Sequence, residues 1–217
     1  FLHSPKMAEL MKRGREVLRW RRERVLESLA LWNEYQRPQL EAQWEVPVPE
    51  MSGEDFLRHV GRGQASGLHL AEALHHHVLP SLRQRAALLQ ERGGEEAAAE
   101  LAFLENLGVE YIADHWLSPV EHPEMPDLTN PCAYSELPPL MQLSVGDLTR
   151  ELTELNPGYR LVLTTKGLSV EDVAELLWDS QGSISHLEIF NMRGWMEGKH
   201  SCLKAISELQ QALNEGL

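Results

Sequence analysis

The sequence predicts a mainly α protein with a C-terminal α/β part: a helical bundle region followed by a βαβ unit. Three observations carry that reading. Apolar residues recur with helical spacing over 6–36 and 66–92. Two β-rich runs, 159–165 (YRLVLTT) and 184–190 (ISHLEIF), flank a short amphipathic segment. Between the helical and mixed regions, residues 118–141 hold six of the 12 prolines. The expected organisation is therefore a helical region over 1–117, a Pro-rich linker over 118–141 and an α/β region over 142–217.

Each element has a local cause. Residues 6–36 read as one helix with Leu10, Met11, Val17, Leu18, Val25, Leu29 and Trp32 on one broad face. Lys12, Arg15, Arg19 and Arg22 line one flank of it, where alkyl stems cover the apolar edge and charged heads stay wet. Arg37 followed by Pro38 predicts the helix end, because proline pushes the residue before it out of the α region. Pro47 and Pro49 punctuate the next stretch, with an extended piece expected at 44–48. Ser52 with Asp55 predicts a capped helix to about His59. Gly61, Gly63 and Gly67 mark a connection that lacks any phosphate-loop pattern. The helix over 66–92 expects Ala71, Leu74, Val78, Leu82 and Leu89 in the core and a kink after Leu79, before Pro80. Gly93 and Gly94 stop it, and helix resumes over 95–107, continuing past Gly108 to Trp116.

Beyond the prolines, Ser144 with Asp147 caps a helix to Leu155, and Asn156, Pro157 and Gly158 form a turn. Ser169 with Asp172 caps the helix between the two strands, which should pair in parallel. A last helix is expected over 201–214. Two strands make a small parallel sheet, since such sheets usually contain more. The order points either to strands the pattern does not reveal or to the opening unit of a larger α/β protein.

Composition sets the outer limits. The chain has 217 residues, 42% hydrophobic and 24% charged, enough for a core and without an apolar run of membrane-spanning length. Its net charge of −13 is unevenly spread. Residues 1–25 carry eight basic and three acidic residues, a local +5, which leaves −18 on the remainder. Such a body repels phosphate backbones and disfavours nucleic acid as a partner. The basic helix is better suited to a protein partner or to its own acidic body. Cys132 and Cys202 form neither a zinc signature nor a disulfide framework, which suits a reducing, cytoplasmic setting.

Two constellations carry candidate chemistry. At the carboxyl ends of the strands, where α/β proteins bind ligands, stand Lys166 and Gly167 after the first strand and Asn191 and Arg193 after the second. Within the second strand His186 and Glu188 share one face, an arrangement that suits an acid/base with its partner. The bland reading is an edge strand with one wet face. On the helix over 66–92, His69, Glu72 and His76 share one side at metal-ligand spacing, with His75 and His77 beside them. That side lies roughly 145° from the centre of the apolar face, so a solvated patch is the favoured reading. Trp20, Trp32 and Trp44 read as core or interface anchors, and Glu121, His122, Glu124 and Asp127 as a solvated acidic stretch.

Three functions remain in play. The first is part of a soluble α/β enzyme acting on a small anionic or hydroxylated substrate held by Lys166, Gly167, Asn191 and Arg193, with His186 and Glu188 catalytic. The second is a non-catalytic interaction or regulatory module that binds a protein partner or itself through amphipathic helices. The third is a metal-binding bundle using His69, Glu72 and His76. No fingerprint identifies a cofactor, and none decides whether the chain is an enzyme.

Overall fold

The computed structural model describes residues 4–128, 136–155, 158, 160–165, 168–188 and, near the C-terminus, 207, 208, 210, 211 and 214. The chain is mainly α with a small α/β part. It divides into a helical unit, Lys12–Pro138, and a second unit composed of Phe1–Met11 and Pro139–Leu217.

The helical unit begins with α1 (Pro5–Leu31), which leads into a π-helical turn at Trp32–Gln36 and then α2 (Arg37–Trp44). The expected stop at Arg37 does not occur. Proline has no N–H, and its ring clashes with the carbonyl four residues earlier. The chain admits it by widening one turn: the Arg37 N–H donates to the Trp32 carbonyl, five residues back. Pro38 then sits in the first turn of α2, where no N–H is needed. Glu45, at φ 56, ends that helix in the left-handed region.

The extended piece expected at 44–48 does not form as such: Trp44 closes α2, Glu45 turns left-handed, and the irregular stretch alternates in burial, with Trp44, Val46 and Val48 inward and Glu45 and Pro47 outward. No strand pairs with it among the described residues. Side chains take that role. Arg85 and Ser81 donate to the carbonyls of Trp44 and Pro47, at 3.1 and 2.6 Å. Arg37 donates to Val48, and Asn33 bonds both the N–H and the carbonyl of Met51. Buried backbone groups must be paired, and here the helices pair them.

Ser52 caps α3 (Gly53–Val60) as its spacing with Asp55 foretells. Ser66 caps α4 (Gly67–Arg92), which runs through Pro80 and buries Ala71, Leu74, Val78, Leu82 and Leu89. Helix α5 (Glu95–Glu105) ends earlier than its pattern suggests. A break at 106–108 precedes α6 (Val109–Tyr111) and a second π-helical turn, Ile112–Trp116. Trp116 stacks between Trp32 and Trp44, with ring centroids 6.4 and 6.0 Å away. Two of the three recurring tryptophans are thus core anchors. From the proline-rich stretch, Met125 enters the same core.

In the second unit α7 (Val145–Leu155), capped by Ser144, precedes β1 (Leu161–Thr164), α8 (Val170–Asp179) and β2 (Ile184–Glu188). The strands pair in parallel, Val162 opposite His186 and Thr164 opposite Glu188. An irregularity after Leu161 places Ile184 on the same half-buried face as Leu187, three residues on. Gly146 permits a close approach of α7 and α8, since a Cβ there would stand 2.7 Å from the Asp179 carbonyl. The turn at 156 and 157 and most of the helix expected over 201–214 lie outside the described residues, as do both cysteines.

Candidate functional site

The strand ends come first because the sequence points there. Glu188 accepts a 3.1 Å hydrogen bond from Thr164 Oγ1, and its carbonyl accepts one from Thr165 Oγ1. His186 Nδ1 is 2.8 Å from Ser185 Oγ. Both His186 and Glu188 are exposed, on a wet face shared with Val162 and Thr164. Each bonds a hydroxyl neighbour, and among the described residues His186 and Glu188 do not hydrogen-bond each other. Lys166, Gly167, Asn191 and Arg193 lie outside the described residues, as do Ile189 and Phe190 at the end of the expected strand. An open groove of about 620 Å³ exists elsewhere in this unit, lined by Ser144, Gly146, Arg150, Trp178 and Gln181. Trp178 at its rim is 79% exposed. An aromatic closing an amphipathic helix was the available sequence signal for it.

The histidine patch is a surface feature. Glu72 and His76 are exposed, and His69 and His77 half-buried. His69 Nδ1 is 2.7 Å from Ser66 Oγ at the helix cap, and His77 Nε2 is 3.0 Å from the Pro49 carbonyl. A residue from another helix joins them: His59 Nε2 is 3.8 Å from Glu72 Oε2, and its ring is 5.9 Å from that of His76. Sequence spacing is silent about such a neighbour. Among the described residues no group of three or more His, Cys, Asp or Glu side chains is arranged to hold a metal ion.

Arg85 is the buried charge of the molecule's helical unit, its side chain only 5% exposed. Nε and Nη2 donate in parallel to the Glu100 carboxylate at 2.8 Å, and Nη1 reaches Glu45 at 2.7 Å. The fork matches carboxylate geometry and satisfies the guanidinium without water. Hydrogen bonds from Arg85 hold Glu100 below the ordinary carboxylate pKa against the opposing effect of burial, and hold Glu45 below it with help from Arg92. With its donors used this way, Arg85 ties α4 to α5 and to the C-terminal end of α2.

The remaining candidate is α1. Within the helical unit Leu18, Val25 and Trp32 stand one heptad apart on one face, and their exposures are 47%, 3% and 0%. The core covers the second half of that line and leaves the first half open. Along the open half, Lys12, Arg15, Arg19 and Arg22 are exposed on one flank. Among the described residues none of the four has an acidic partner. By contrast Arg24, farther along, pairs with Glu27 at 2.8 Å. No family model matches the chain, and no curated protein or solved structure matches it. No helix among the described residues is long and apolar enough to cross a membrane.

Proposed function

We propose that the chain is a non-catalytic protein-interaction module that docks an acidic protein segment along the open half of α1. The observation that carries this reading is the line Leu18–Val25–Trp32 of the helical unit, which passes from half-exposed to fully buried while four basic residues flank its open end. Large apolar side chains held open beside unpaired arginines are what a recognition helix presents. Arginine adds planar, multiply donating heads suited to carboxylates. The strand-end enzyme reading has less support, because His186 and Glu188 bond separate hydroxyls rather than each other.

The test is a photo-cross-linking residue at position 18 of the full chain, with position 62, an exposed site elsewhere, as control. Cross-linked peptides are identified by mass spectrometry after irradiation in a cell extract. The expected adducts are protein peptides rich in Asp and Glu, competed by a peptide spanning α1 and reduced by salt. Protein adducts no more abundant at 18 than at 62 would refute the reading.

A further inference from the structure

The partner's chemistry can be narrowed, on the footing of the interaction reading above, because the chain itself carries a matching surface. Helix α5 buries Ala97 and Leu104 and exposes Ala98, Ala99, Ala102 and Phe103 on the opposite side. Phe103 is 41% exposed. At 100° per residue Glu96 and Glu105 fall on the two edges of that face, and Glu95 falls within it, one turn before Ala98 and Ala99. Among the described residues these three carboxylates have no basic partner. Helix α5 thus presents an acidic face around a small apolar patch where α1 presents an apolar line with a basic flank. Its 11 residues span about 16 Å, the length of the open stretch 12–22 of α1. Both faces are exposed in one and the same molecule, so neither satisfies the other there.

We infer that the segment docked on α1 is α5 of a second copy of this chain, in a reciprocal two-fold pair. Leu18 of one copy meets the alanine and Phe103 face of the other, and the flank of Arg15, Arg19 and Arg22 meets Glu95 and the Glu96 edge, with Glu105 adding to the acidic field of that helix. A two-fold axis forms this contact twice, α1 on α5 and α5 on α1. Doubling matters, since one short helix pair falls below the roughly 800 Å² per partner of a standard interface.

Sedimentation velocity of the full chain tests this. A reversible dimer is expected, weakened about tenfold when salt rises from about 0.05 M to about 0.5 M and the screening length drops below ~5 Å. Two triple variants, R15E/R19E/R22E and E95K/E96K/E105K, are each expected to be monomeric, with wild-type circular dichroism because all six positions are exposed. Mixed together they restore both contacts, so a one-to-one heterodimer is expected. A wild-type monomer up to about 0.5 mM, or variants that dimerise as the wild type does, would overturn the inference. Cross-links from position 18 to another acidic protein, with a monomeric chain, would sink the second-copy inference and leave the interaction reading standing.

Discussion

Arg85→Ala is expected to destabilise the helical unit by about 3 kcal/mol. Three effects set that figure. Removing one member of a buried ion pair typically costs ~3–5 kcal/mol, because the other charge is stranded. Glu100 keeps 30% exposure, so water reaches the stranded carboxylate and moves the cost towards the low end. The Trp44 carbonyl also loses its buried 3.1 Å donor, and an unmet buried acceptor costs ~1–3 kcal/mol. Arg85→Lys retains the charge but replaces the planar fork by a single ammonium, so about half the loss is expected. The assay is urea unfolding followed by near-UV circular dichroism, which reports the Trp32–Trp116–Trp44 stack of this unit. A double-mutant cycle with Glu100→Ala should return a coupling of about 2 kcal/mol. A loss under ~1 kcal/mol, or strict additivity in the cycle, would show that Arg85 does not tie α4 to α5.

Acid should reveal the same pair. The folded pKa of Glu100 is depressed, so its contribution to stability is present above the ordinary value of 4.5 and is lost as pH falls through the folded value. Glu100→Gln is thus expected to flatten the decline in unfolding free energy below pH 4.5, and an unchanged slope would contradict the assignment. Gly146→Ala should cost about 1–3 kcal/mol, because the new methyl meets the Asp179 carbonyl at 2.7 Å, whereas Gly14→Ala, with nothing within 4 Å in mid-helix, should stabilise by ~0.5–1 kcal/mol. Thermal melts of the two variants should move in opposite directions. Ser169→Ala removes the cap hydroxyl of α8 and should cost about 1 kcal/mol, read as faster amide exchange at Asp172.

Features with a purely local cause were legible beforehand. Ser52, Ser144 and Ser169 cap helices by accepting from a backbone N–H three positions on, and their spacing with an Asp is written in the sequence; the Ser66 cap, three before His69, has no such Asp and is not legible there. The positions Ala71, Leu74, Val78, Leu82 and Leu89 are buried because one helix face meets one core. Pro38 was misleading, since its local preference argues for a stop. The burial of Trp32 and Leu40 on either side holds the helix together through a widened turn instead. The extended piece expected at 44–48 does not form as such, because Trp44 closes α2 and Glu45 turns left-handed; the carbonyls of Trp44, Pro47 and Val48 are met by Arg85, Ser81 and Arg37, two of them more than thirty positions away. The candidate site shows the same division: spacing relates His69, Glu72 and His76, but only folding brings His59 beside Glu72.

For α1 the sequence by itself determines the helix, its apolar face and the basic flank, because these depend on side-chain type and a period near 3.6. Periodicity is indifferent to what lies opposite. Only the tertiary structure decides that Val25 and Trp32 are covered while Leu18 is not, because cover depends on how far the neighbouring helices extend along that face. The open half of the line, and with it the proposed interface, is a property of packing that no run of residues could disclose.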